Sequence, residues 1–186
     1  MSTSMQEAGL ERPMAARRKL VVVGNGMAGA RAVEEVLARG GAEQFEITMF
    51  GDEPYGNYNR ILLSNVLSGI ADPGEIYLNP MDWYADNDIT LHAGARVTDI
   101  DRTARMVLSD TGIRCAYDVL LIATGSRAFI PPIEGARLAN GELRPGVYGF
   151  RSIDDCNGIM EHAKRSRRAA VIGGGLLGLE AARGLL

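Results

Sequence analysis

Four consecutive apolar residues, Leu20-Val21-Val22-Val23, run directly into Gly24-Asn25-Gly26-Met27-Ala28-Gly29. A short, wholly apolar, β-branched-rich run that stops at glycine reads as a strand buried on both faces, as in a parallel sheet. Ala28, Val33, Val36 and Leu37 then recur at helical spacing, so residues 27–39 read as a helix ended by Gly40-Gly41. Residues 45–50 form a second apolar strand. The order strand, turn, helix, strand implies a right-handed parallel crossover. In such a unit Gly24 permits the tight turn, Gly26 lets a pyrophosphate approach the backbone, and Gly29 lets the helix pack against the strand. The free N–H groups and positive dipole end at Met27 and Ala28 then face the phosphates. Asp52 and Glu53 follow the second strand, about where an acid that binds a ribose hydroxyl is expected. A plain strand–helix turn with solvated acids would use the same residues; the complete context favours the dinucleotide reading.

Beyond Pro54 the pattern loosens. Residues 60–67 and 81–86 read as helices; residues 89–91, 95–100 and 106–108 read as short strands, with Asp110-Thr111-Gly112 as a hairpin tip. Residues 117–123 form another buried strand that closes on Thr124-Gly125. The Pro- and Gly-rich stretch 131–149 reads as a connection between domains. Residues 152–164 form a helix with Ser152 as N-cap and Asp154-Asp155 in its first turn. Residues 169–172 read as a final strand, followed by Gly173-Gly174-Gly175-Leu176-Leu177-Gly178 and a new helix carrying Glu180. Strand, glycine turn and helix therefore occur twice, which suggests two dinucleotide-binding units. In the second turn the same roles fall to Gly173, Gly175 and Gly178. No second strand follows it within these residues, so NAD cannot be told from NADP.

Composition excludes other classes. The 186 residues are 46% hydrophobic and 23% charged with a net charge of −3, which gives no basic footprint for nucleic acid. Cys115 and Cys156 lie far apart in no metal or redox spacing, which fits a reducing compartment. No apolar stretch approaches the roughly 20 residues that span a bilayer. Residues 1–18 have no apolar central region and read as a disordered tail, not a secretory signal. A cytoplasmic protein is expected.

Gly24 to Gly29, Gly51-Asp52-Glu53-Pro54, residues 117–125 and Gly173 to Glu180, taken in order, resemble the FAD-dependent pyridine nucleotide oxidoreductases built on two dinucleotide-binding domains. Tyr58-Asn59-Arg60-Ile61-Leu62-Leu63-Ser64 is similar to the corresponding segment of NAD(P)H-dependent nitrite reductase large subunits; rubredoxin and ferredoxin reductases are close relatives. The resemblance implies an α/β, Rossmann-like fold with a parallel sheet, a small antiparallel β insertion and the beginning of a second Rossmann-like unit. It places an FAD-binding domain at 19–149 and the start of an NAD(P)H-binding domain at 150–186. FAD would accept a hydride from NAD(P)H and pass electrons on, to nitrite through downstream centres or to a small electron-transfer protein. Iron–sulfur and sirohaem groups would belong only to a full-length enzyme, which could be a homodimer.

The resemblance also assigns residues. Asp52 would take the ribose hydroxyls with Glu53 beside it, and Arg60 would reach the pyrophosphate as a charge-assisted donor. Val97 would meet the adenine through its backbone. Ala123, Thr124, Gly125 and Arg127 would close over the cofactor, although Arg127 reads equally well as a surface arginine. Ser64 and Asn65 would lie near the flavin. Many relatives carry lysine where this chain has Asn65, so an ion pair there is lost. The CxxxxC pair of the disulfide reductases is absent, so electrons must leave by another route. On the nicotinamide side the second turn contributes Gly173, Gly175, Leu176, Gly178 and Glu180.

No catalytic acid or base is nominated: His92 and His162 stand away from both glycine turns, and Trp83 and Tyr84 read as packing residues. Leu186 falls about two turns into the last helix. The expectation is a piece of a longer enzyme that turns over poorly alone, with Leu176, Leu177, Leu179, Leu185 and Leu186 short of packing partners. A non-catalytic flavin-binding module and a nicotinamide-only dehydrogenase are the alternatives. The second glycine run and Thr124-Gly125 speak against the latter, since one cofactor does not need both.

Overall fold

The computed structural model describes residues 16–186. Most of the expected tail lies outside the described residues. The first strand, β1 (Arg18–Val23), enters the glycine turn and α1 (Met27–Ala38), and the chain returns as β2 (Phe45–Gly51). β1 and β2 pair in parallel, with Leu20 beside Ile47 and Val22 beside Met49. The opening crossover is therefore formed as its residue pattern demands.

Between residues 55 and 86 the chain folds as short helices, including α2 (Leu63–Leu67) and α3 (Met81–Asp86). The first three residues of the expected 60–67 helix, Arg60–Leu62, form a tighter 3-10 turn. β3 (Ile89–Ala93) then joins the parallel sheet beside β2. An antiparallel sheet of β4 (Val97–Asp101), β5 (Met106–Ser109) and β6 (Arg114–Ala116) follows. Its hairpin tip is at residues 110–112, where Gly112 takes φ 82°. β7 (Val119–Ile122) returns to the parallel sheet on the other side of β1, giving the order β3-β2-β1-β7.

Alternation along β1 sorts its side chains between two cores. Leu20 and Val22 pack with Val33, Ile47, Met49, Tyr84 and Ile89 on the helix side. Val21 and Val23 pack with Phe50, Ala95 and Val107 under the antiparallel sheet. β7 is less buried than its apolar sequence predicts, with Ile122 60% exposed. It is an edge strand among the described residues, so one side lacks a neighbour.

A third core joins Tyr58, Leu63, Val66, Leu67 and Ile76 to Ile153, Cys156 and Ala181. Ile153 and Cys156 come from α4 (Ile153–Ala163), Ala181 from α5 (Leu176–Gly184). Ser152 caps α4: its Oγ accepts from Asp155 N–H at 3.1 Å, and Asp155 Oδ2 accepts from Ser152 N–H at 3.0 Å. α5 lies on α2 closely enough that a Cβ on Gly184 would be 3.1 Å from Leu67 Cγ.

The expected strand at 169–172 does not form. A strand exists through its ladder of hydrogen bonds, and no described strand pairs with this segment. Ile172, Leu176, Leu177 and Leu179 are exposed. Among the described residues no helix is long and apolar enough to cross a membrane.

Candidate cofactor-binding site

The glycine turn is built by close approach. Gly24 has φ 118°, and a Cβ there would lie 2.2 Å from the carbonyl oxygen of Ala123. Its N–H donates to Phe50 O at 2.8 Å, so the turn sits between the ends of β2 and β7. Gly26 begins α1 with φ −87° and ψ −175°, no side chain caps the helix, and its first turn holds no acid. The first N–H groups of α1 are thus left for an outside acceptor, at the positive end of the dipole.

That helix end opens into a cavity of about 260 Å³. Gly24, Asn25, Gly26, Met27 and Ala28 form one wall, Gly51, Asp52 and Glu53 from the end of β2 a second. Tyr55, Gly56, Tyr58 and Arg60 form a third wall, and Ala123, Thr124, Gly125, Ser126 and Arg151 complete the rim. The cavity therefore lies at the carboxyl ends of β1, β2 and β7. The chain leaves central β1 toward neighbours on either side there, the position at which open α/β sheets hold ligands.

The two acids at the end of β2 differ in their commitments. Glu53 pairs with Arg60 and accepts from the Tyr58 hydroxyl at 2.5 Å. Arg60 also donates to Tyr58 Oη and to Arg151 O, each at 2.8 Å, with its guanidinium over the Tyr58 ring. Burial first, then the Glu53 hydrogen bond and charge, push the Tyr58 phenol above its ordinary range, so it stays a neutral donor. Asp52 Oδ1 accepts from Arg96 Nε at 2.7 Å. Among the described residues Asp52 Oδ2 accepts no hydrogen bond, which leaves it open to a hydroxyl.

The predicted residues divide by position. Eleven of them, Gly24 to Ala28, Asp52, Glu53, Arg60 and Ala123 to Gly125, line this cavity. Gly29 lies beneath it: a Cβ there would be 2.0 Å from Gly24 O. Val97 lines a separate hollow of about 220 Å³, which shares only Thr124 with the first. Ser64, Asn65 and Arg127 are outside both. Asn65 uses its carbonyl to end α2, accepting from Ile70 N–H at 2.9 Å and Ser68 Oγ at 3.1 Å.

Arg151 was not among the predicted residues. Its Nε donates to Ser126 O at 2.6 Å, and its Nη2 lies 3.6 Å from where a Cβ on Gly125 would be. Among the described residues it has no acid partner, so the cavity wall carries a cation whose charge is not paired. No local motif marks it; it stands one residue before the Ser152 cap and is brought in by tertiary folding.

The second turn repeats the first. Gly173 has φ 133°, Gly175 begins α5 with φ −79° and ψ 174°, and a Cβ on Gly178 would be 2.0 Å from Gly173 O. A Cβ on Gly173, Gly174 or Gly175 would meet nothing within 4 Å, so no wall surrounds it. Leu176 and Glu180 lie on α5 beside this open turn.

The family pattern described as pyridine nucleotide-disulphide oxidoreductase matches residues 18–185. The chain belongs to this family. The chain is 50% identical over 169 residues to the assimilatory nitrate reductase electron transfer subunit of Bacillus subtilis (strain 168), covering 91% of this chain and 21% of that protein. It is 49% identical over 170 residues to the NAD(P)H nitrite reductase of the same organism, covering 91% and 20%. It therefore spans about a fifth of the length of these curated relatives. The crystal structure of NADH:rubredoxin oxidoreductase from Clostridium acetobutylicum matches with a TM-score of 0.78 at 28% identity, over 91% of this chain and 42% of that one. Despite the family's name, neither Cys115 nor Cys156 is disulfide-bonded.

Proposed function

We propose that this chain is the FAD-binding front of an NAD(P)H-oxidising flavoprotein that delivers electrons toward nitrite. The observation that carries the cofactor reading is the uncapped start of α1, opening into a cavity whose rim holds Arg151 without an acid partner. A pyrophosphate suits that place: backbone donors and a dipole on one side, a guanidinium on the other. Gly26 supports the fit, since a Cβ there would meet no protein atom and would project into open space.

When bound, FAD supplies the capacity to take a hydride and release electrons. The protein's own residues bind and orient. Asp52 Oδ2 would accept a hydrogen bond from a ribose hydroxyl, and the Met27 and Ala28 N–H groups would hold the phosphates. Arg60, held by Glu53 and Tyr58, stiffens the wall opposite the turn. Residues 19–149 form the FAD-binding domain, and 150–186 begin the NAD(P)H-binding domain. The repeated glycine geometry at Gly173, Gly175 and Gly178 supports the second assignment.

Electron flow toward nitrite rests on the name of the NAD(P)H nitrite reductase at 49% identity; the relative at 50% is named as an electron transfer subunit of assimilatory nitrate reductase. The relative named as the biphenyl dioxygenase ferredoxin–NAD(+) reductase component of Paraburkholderia xenovorans (strain LB400) is 30% identical, which favours nitrite over a ferredoxin.

The test is competition at the glycine turn. FAD bound to the chain should be displaced by ADP, which shares its adenosine and pyrophosphate, and not by FMN. Displacement by FMN alone would remove the pyrophosphate assignment. NAD(P)H-dependent nitrite consumption by the whole protein tests the acceptor.

A further inference from the structure

Glycine costs conformational entropy to hold in place, and a Gly-Xaa-Gly turn has only the middle residue with which to anchor itself. Here that residue is Asn25. Its Oδ1 accepts from the Tyr84 hydroxyl at 2.9 Å, its Nδ2 points to Tyr55 O at 3.4 Å, and its Cβ is 3.1 Å from where a Cβ on Gly51 would be.

Tyr84 reaches this point from α3, which the glycine motif does not include. Its ring is buried with Val22, Val33 and Met49, and Trp83 meets it edge-on at 5.1 Å between ring centroids. Its hydroxyl accepts from Asn57 N–H and lies 3.1 Å from Asn57 Oδ1. One phenolic proton faces two amide oxygens while the backbone N–H fills a lone pair, so Tyr84 joins the turn to the 55–58 wall through a single atom. Asn57 is 1% exposed, and its Nδ2 has no partner. The shared hydroxyl, bonded to the Asn57 backbone N–H and facing the Asn25 and Asn57 side-chain oxygens, fixes the turn relative to the 55–58 wall. Burial raises the Tyr84 phenol from its ordinary range and keeps its proton on.

We propose that Tyr84 is a positioning residue for the cofactor: through Asn25 it locks the Gly24–Gly26 backbone in the shape that receives a pyrophosphate. This rests on the FAD reading above. Locking the turn in advance removes part of the ordering cost from binding, so its effect falls on affinity.

Tyr84→Phe keeps the ring and removes the hydroxyl. FAD binding by flavin fluorescence should weaken about fivefold to tenfold, the scale of one hydrogen bond. Asn25→Ala should weaken binding at least as much, since it also frees Tyr55 O, and the double variant should fall short of the sum of the two losses, because both break the Asn25–Tyr84 link. Hydrogen exchange on the cofactor-free chain should quicken at the amides of Gly24 and Ala30, which donate to Phe50 O and Gly26 O and so report the shape of the turn, and stay unchanged in β2. Additive losses, unchanged exchange in the turn, or equal quickening throughout the sheet would overturn the proposal. If the parent chain takes up no FAD, the cofactor reading fails, and with it the claim that the lock serves FAD. The exchange comparison then still decides whether Tyr84 locks the turn.

Discussion

The carbonyl oxygen of Gly24 lies 2.0 Å from where a Cβ on Gly29 would be. Glycine inside a helix is ordinarily worse than alanine by about 0.5–1 kcal/mol. At this position the sign reverses, because any side chain pushes α1 away from β1. Gly29→Ala should destabilise the chain by about 1–3 kcal/mol, the range for overpacking, measured by urea denaturation. Gly26→Ala is the counterpart: its Cβ meets nothing, so stability should barely change while FAD binding weakens at least about tenfold, roughly 1.4 kcal/mol.

Arg151 and Arg60 both line the cavity but should behave differently. Arg151→Ala leaves no acid without a partner, so it should lower FAD affinity by about tenfold, as for a charge-assisted contact, with little loss of stability. Arg60→Ala strands Glu53, whose side chain is 24% exposed. It should cost about 1–3 kcal/mol of stability, between exposed and buried pairs, as well as affinity. Arg60→Lys should recover stability only in part, since one ammonium nitrogen does not reproduce the fork in which Nη1 serves Tyr58 and Arg151 O and Nη2 serves Glu53. Paired thermal melts and FAD titrations separate the two arginines.

Alkaline pH should weaken the fold through its tyrosines. The hydrogen bond to Asp154 pushes the Tyr55 phenol up to about 12, and burial raises Tyr58 and Tyr84. For a group whose pKa is higher folded than unfolded, the folded state holds more protons once pH passes the unfolded value of about 10. The stabilisation is complete below that pH and is lost as pH rises through the folded value. Denaturation midpoints should fall from about pH 10 upward. Tyr55→Phe should make the fall shallower between about pH 10 and 12.

Local pattern carries most of the first unit. β1, α1 and β2 are each written in a stretch of residues whose spacing has one good solution, and Ser152 with Asp155 marks the start of α4 as a capping pair must. The segment 169–172 shows where such reading stops: its residues suit a strand, but a strand needs a neighbour.

The site was legible where it coincides with the turn. Gly24 to Ala28, Asp52 and Thr124 line the cavity because strand ends converge there. Arg151 and the Tyr84 hydroxyl were not legible, since each arrives from an element without a motif. Tyr84 is a packing residue, as its apolar surroundings imply, but its hydroxyl also holds Asn25. Arg60, expected at the pyrophosphate, lines the cavity, and its guanidinium also serves Glu53, Tyr58 and Arg151 O, a pairing that sequence distance alone does not reveal.

FAD at the first glycine turn would show in the visible absorbance of the purified chain before any cofactor is added. A flavin spectrum is expected, with FAD and not FMN released on denaturation. A colourless protein that also fails to take up added FAD would contradict it.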